Sequence, residues 1–183
     1  PPHTTPPPPT HTNPTSQSSA ASDVYKRQVE IRVQETALDA LAEVAPVYSG
    51  RPSVGGVVSF VGLMRDINVG EQISAMTLEH YPGMTEKALA AIVAEAGERW
   101  ELEAVRVIHR IGEIRPQDPI VLVAVASRHR GEAFRACEFI IDYLKTRAPF
   151  WKREQTADGR ARWVDARNSD EAAADSWKDA GSR

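Results

Sequence analysis

The chain has 183 residues, 42% apolar and 26% charged, with a net charge of −3. That suffices for one domain with a sizeable core and excludes a global basic field for a nucleic-acid backbone, so any anion site must be local. The longest apolar runs, such as Ile120–Ala126, fall far short of the roughly 20 residues of a membrane helix. The single cysteine, Cys137, excludes an intrachain disulfide and a CxxC pair, and suits a reducing cytoplasm.

Residues 1–22 hold seven of the thirteen prolines and almost no large apolar side chain. Such a stretch cannot bury enough surface to offset its ordering entropy, and disorder is expected. It lacks the basic and apolar regions of a signal peptide. The chain begins without Met, and "DVYKRQ" (23–28) reads as adapter read-through. Residues 1–28 are therefore expected to lie outside the fold, and 29–183 to form one domain.

"VEIRVQ" (29–34) alternates like a half-buried strand. A helix follows, with Thr36 as the expected N-cap and Leu38, Leu41, Ala42 and Ala45 on one face. "GGVVSFVGLMR" (55–65) reads as a buried strand, "DINVGEQ" as a turn and "ISAMTLEHY" (73–81) as the second arm of a hairpin. Residues 85–100 predict a strong helix facing inward through Leu89, Ile92, Val93 and Ala96. "AVRVIHRIGEI" (104–114) alternates, and "PIVLVAVAS" (119–127) is apolar enough for a central strand. Residues 131–146 predict a helix with a stripe of Phe134, Cys137, Ile141 and Leu144, stopped by Pro149. A short strand with Trp151 and a turn at "ADGRA" follow, and a last helix is capped by Ser169. The mixture favours α+β, with helices packed on a largely antiparallel sheet.

No nucleotide, metalloprotease or hydrolase motif is present, and the histidines are too scattered to suggest a metal site. On its apolar stripe Cys137 reads as a buried, inert thiol. Cations gather at three structural breaks. Arg128, His129 and Arg130 stand where a buried strand gives way to a helix, whose unpaired N–H groups favour an anion; a solvated loop reads equally well. Arg65 ends an apolar strand and can reach a planar oxyanion, or pair with Asp66 or Glu79. In "LKTRAPFWKRE" (144–154), Lys145 offsets a helix dipole. Lys152 follows Trp151, so if Trp151 packs inward Lys152 points outward or into a cleft. Partial desolvation would lower its pKa and suit it to acid–base work or nucleophilic attack.

"GGVVSFVGLMRDIN", "LEHYPGMTEKAL", "VASRHRGEAFRACEFIIDYLKTRAPFWKRE" and "RWVDAR" together resemble the large, catalytic subunit of molybdopterin synthase, over roughly residues 29–180. The resemblance implies an α/β hammerhead fold and a sulfurtransferase of molybdenum cofactor biosynthesis. In that family, cyclic pyranopterin monophosphate (precursor Z) acquires the two sulfurs of a dithiolene. The sulfur arrives as a thiocarboxylate on the C-terminal Gly-Gly of a small ubiquitin-like carrier subunit. The implied assembly is a heterotetramer with a dimer of large subunits, and it needs no metal or cofactor of its own. By resemblance Lys145 and Lys152 are the catalytic pair. Arg65, His129 and Arg130 grip the substrate phosphate, and Leu63, Met64, Arg153 and Glu154 are substrate contacts. Arg167 matches an arginine that reaches the site across the dimer, behind a turn one residue longer than the family pattern. A competing reading is a non-catalytic relative that binds a phosphorylated ligand or a ubiquitin-like tail. Both lysines survive, which favours the enzyme. An RNA-binding domain fits worse, given the negative charge and the lack of an aromatic platform.

Overall fold

The computed structural model describes residues 28–164 and 168–179. The proline-rich stretch 1–27 and Arg167 lie outside the described residues. The described elements are β1 (Gln28–Gln34), α1 (Ala40–Tyr48), β2 (Gly56–Leu63), β3 (Ile67–Asn68), β4 (Glu71–His80), α2 (Met84–Arg99), β5 (Ala104–Arg110), β6 (Gly112–Ile114), β7 (Pro119–Ser127), α3 (Arg130–Arg147), β8 (Phe150–Thr156), β9 (Ala161–Val164) and α4 (Asn168–Asp179).

Two sheets form. The first has the order β1-β5-β7-β2, and β1–β5 is its parallel pair. The second runs β3-β4-β8-β9, with β6 also paired to β4, and its pairings are antiparallel. The expected α+β class and largely antiparallel pairing are both present. Gly112, at φ 77, kinks the chain between β5 and β6, so one extended run serves both sheets.

Alternation along the first sheet divides its core. Val105, Val107, Val123 and Val125 face α2 and α3, whereas Ile108, Leu122, Ala124 and Ala126 face α1. β7 is covered on both faces, as its continuous apolar run predicted. The predicted inward face of α2 is buried as expected. A third cluster, Met64, Ile73, Met76, Leu78 and Ile114, lies along the second sheet. Among the described residues, no helix is long and apolar enough to cross a membrane.

Four expectations need correction. The N-cap of α1 is Asp39, whose Oδ1 accepts from the Ala42 N–H at 3.1 Å, rather than Thr36. The helix therefore starts later, burying Ala40 and Val47 and leaving Leu41 85% exposed. Residues 55–65 and 73–81 do not pair. The Val69-Gly70 turn, with both residues at positive φ, closes β4 onto the short β3 and leaves β2 to pair with β7. As an edge strand, β2 is only partly covered. Phe134 points off the α3 stripe into solvent, while Cys137, Ile141 and Leu144 are buried. Burial pushes the Cys137 thiol up to about 12, as an inert core cysteine requires.

Candidate active site

The two sheets and the C-terminal end of α3 border two adjoining, half-open cavities. The smaller, about 220 Å³, is walled by Arg65, Asn68, Lys145, Lys152, Glu154 and Asp170 among others. The larger, about 710 Å³, is mostly apolar, with Phe60, Val121, Ile141, Leu144 and Phe150 in its walls. Lys145 and Lys152 line both, as do Leu63 and Arg65. Gly62 belongs to the larger wall, where a Cβ would stand 2.7 Å from Val121 Cγ1; a side chain there would crowd the cavity.

Strand alternation aims the β8 residues. Phe150, Lys152 and Glu154 point inward, whereas Trp151 and Arg153 point to solvent. Trp151 thus takes the outward face, and the aromatic side chain beside Lys152 in the cavity wall is Phe150. Lys152 Nζ lies 2.6 Å from Glu154 Oε1. Glu154 is 2% exposed and also accepts from Asn68 Nδ2 at 2.9 Å and Arg162 at 3.3 Å. Burial alone would raise its carboxyl, but the donors Asn68, Lys152 and Arg162 outweigh burial and hold it below the usual carboxylate range. Lys152 is thus anchored to a buried anion.

Lys145, in the last turn of α3, is held differently. Its Nζ meets Asp170 Oδ1 of α4 at 3.3 Å, and 46% of its side chain is exposed. An exposed pair of this kind is worth roughly 0.2–1 kcal/mol, so Lys145 can turn to a ligand at little cost. The next cation, Arg147, stacks over Tyr143 at 3.5 Å and pairs with Glu95 at 2.9 Å, tying α3 to α2 away from the cavities.

The remaining sequence candidates divide. Leu63, Met64 and Arg65 all line the smaller cavity. The β2 register shifts at Gly62/Leu63, and Met64 is pinned through its N–H to Asp118 O (3.0 Å) and its carbonyl to Gln117 N (2.9 Å). Arg65 is exposed and makes no ion pair with Asp66, Glu79 or any other described residue. His129 and Arg130 are exposed at the opposite end of α3. Fifteen residues separate Arg130 from Lys145, about 22 Å at the helical rise. One chain does not bring them to the lysines. Arg153 lies on the outer face of β8, 5.8 Å from the Trp163 ring centre, and lines neither cavity. Arg167 lies outside the described residues.

Sequence reasoning missed Asn68, Asp170, Arg162 and His109. His109 shares the inward phase of Val105 and Val107 along β5, the one signal that marked it. Among the described residues no group of three His, Cys, Asp or Glu is placed to hold a metal. The arrangement offers two ammonium groups and a guanidinium around a half-open cleft, suited to binding anions and stabilising charge that develops on oxygen.

The MoaE protein family model matches residues 32–147. The molybdopterin synthase catalytic subunit of Ralstonia nicotianae is 65% identical over 147 residues, covering 80% of this chain and 83% of that one. Its Escherichia coli counterpart is 58% identical over 137 residues, covering 75% and 91%. The solved molybdopterin biosynthesis MoaE protein from Burkholderia ambifaria superposes with a TM-score of 0.70 at 51% identity, covering 82% of this chain and 99% of that one. A family match over more than half the chain and relatives well above half identical lead to one conclusion: this chain belongs to the MoaE protein family.

Proposed function

We propose that the chain is the catalytic subunit of a molybdopterin synthase. It transfers sulfur from the C-terminal thiocarboxylate of a small ubiquitin-like carrier to cyclic pyranopterin monophosphate, building the dithiolene. One observation carries the reading: Lys145 and Lys152 stand in the shared wall of two cavities. One cavity is small, with Asn68 and Glu154 adding to its polar lining; the other is larger and mostly apolar, and Arg65 borders both. Two reactants of different character need such a junction. The pterin phosphate suits the polar side, and an uncharged peptide tail suits the apolar side.

In this reading the carrier's sulfur attacks an oxygen-bearing side-chain carbon of the pterin, and a C–S bond forms as the C–O bond breaks; of the two oxygens displaced over two additions, one leaves as the opened cyclic phosphate and the other as water. The resulting thioester is then cut by water at the carrier's carbonyl, leaving sulfur on the pterin and a carboxylate on the carrier. A second loaded carrier repeats the step. Lys145 leaves Asp170 to stabilise the oxyanion that forms at the carrier carbonyl or to pass a proton. Lys152, fixed by Glu154, holds the substrate, with Leu63 and Met64 beside it and Arg65 on the phosphate. His129, Arg130 and Arg167 join the site from a second copy of the chain, within a heterotetramer of two large and two small subunits. Arg153 contributes no contact from its own outward position. The cytoplasm is the proposed compartment, in keeping with the unpaired thiol.

The test mixes the purified chain with thiocarboxylated carrier and cyclic pyranopterin monophosphate and measures dithiolene product. Absence of turnover by a folded sample that binds carrier would leave the non-catalytic reading in its place.

A further inference from the structure

The larger cavity has a polar group that the mechanism above does not use. His109 lies on β5, paired with Val121 of β7, and its ring stacks on Phe150 with centroids 3.8 Å apart and planes 18° apart. Both rings line the cavity. Nδ1 is 2.9 Å from the Arg110 carbonyl oxygen. A carbonyl only accepts, so Nδ1 carries the hydrogen and donates. Burial, opposed in part by that bond and reinforced by nearby His80, lowers the His109 pKa to about 4. At neutral pH the ring is therefore uncharged, and Nε2 presents a lone pair. Nε2 has no hydrogen-bond partner among the described residues, and it is not among the fully buried atoms left without one.

Of the charged side chains lining this cavity, Arg65, Lys145 and Lys152 only donate, and the one carboxylate, Asp170, stands at Lys145 rather than at the Phe150 stack. A peptide entering an apolar channel brings backbone N–H groups, each costly to bury unpaired, by roughly 1–3 kcal/mol. Spacing also fits. Phe150, beneath the imidazole, precedes Lys152 by two residues on the same face of β8, about 7 Å along a strand. An extended tail whose terminal group meets Lys152 carries the N–H groups of its last two residues past His109.

We propose that His109 is the acceptor that positions the carrier's tail: its Nε2 receives a backbone N–H of the C-terminal Gly-Gly inside the larger cavity. This rests on the carrier-tail reading given above. A donor-bearing side chain or a charged imidazole would leave that N–H unpaired. The Phe150 stack and the Arg110 carbonyl fix the ring's plane and tautomer, so the acceptor is preorganised.

The test is a double-mutant cycle between His109 and the tail. The partner is the carrier subunit, made semisynthetically with either of its last two amides replaced by an ester, which deletes one N–H. In H109N the amide still reaches the Arg110 carbonyl but not the Nε2 position. One of the two esters should weaken binding to the wild-type chain by about tenfold, the value of one buried hydrogen bond, and should cost H109N little. H109Q, which restores an acceptor near Nε2, should recover part of the affinity. Losses that simply add for both esters overturn the proposal. If H109N fails to fold, the ¹⁵N resonance of His109 Nε2 in the wild-type chain decides. It should shift when carrier is added, and an unchanged resonance at saturation overturns the proposal. Failure of the wild-type chain to bind unmodified carrier would instead remove the carrier-tail reading itself, and this proposal with it.

Discussion

Lys145→Ala removes one ammonium, one exposed ion pair to Asp170 and a cation from the last turn of α3. The exposed pair is worth roughly 0.2–1 kcal/mol and the dipole contact roughly 0.3–1 kcal/mol. The side chain lines a cavity rather than filling the core, so no packing void is added. The total is about 1 kcal/mol, which corresponds to a fall in Tm of roughly 2–4 °C for a chain of this size. Chemistry should suffer far more, because removing one donor from a developing oxyanion costs about 100- to 1000-fold in rate. Dithiolene formation, thermal denaturation and carrier binding measured on one preparation separate the effects. Turnover within about threefold of wild type would take Lys145 out of the reaction, since the expected loss is at least about 100-fold. A Tm loss well beyond about 4 °C would mark it as a structural residue.

Glu154→Gln strips the charge from between Lys152 and Arg162 and should cost about 2 kcal/mol at pH 7, seen as roughly 4–8 °C in Tm. The folded carboxyl sits below its ordinary value, so its contribution is complete above the unfolded pKa near 4.3 and is lost as pH falls through the lower folded value. The gap between wild type and variant should therefore close below about pH 4; a gap that persists there would mean the loss is steric. Asp170→Asn frees Lys145 from a competing carboxylate and should tighten binding of carrier ending in a free carboxylate, measured by calorimetry, while leaving Tm nearly unchanged; weaker binding would refute the competition. Cys137, its thiol pushed up to about 12, should react with a disulfide-exchange reagent only after denaturation; rapid labelling of the native chain would contradict its packing.

Periodicity located most elements because the side chains that carry it are the ones the core buries. The inward face of α2 and the doubly covered β7 are plain from sequence for that reason. Strand partners were not, because alternation says which way a side chain faces and nothing about its neighbour. The tight Val69-Gly70 turn redirected β4 to β3, and β2 went to the other sheet. At the site, Lys145, Lys152 and Arg65 were legible as cations at structural breaks. The carboxylates that hold the two lysines were not legible in that role: Asp170 comes from α4, and Glu154, expected as a substrate contact beside Lys152 on β8, is buried by a site completed by Asn68, 86 residues away in the chain. Tertiary pairing of that kind leaves no local signature. Alternation put Trp151 and Lys152 on opposite faces of β8 but left open which face was which; the exposed tryptophan is the one that turns out.

α3 carries His129 and Arg130 at one end and Lys145 at the other. If a working site takes Lys145 from one copy and Arg130 from its mate, each helix is shared between two sites. Two dead variants then rescue each other. Lys145→Ala and Arg130→Ala homodimers both lack every site, but a mixed pair keeps one whole site, assembled from the intact lysine of one copy and the intact arginine of the other. Activity returning on subunit exchange, to about half of wild type for each mixed pair and about a quarter for a randomly exchanged equal mixture, would be the genetic imprint of a single rigid rod.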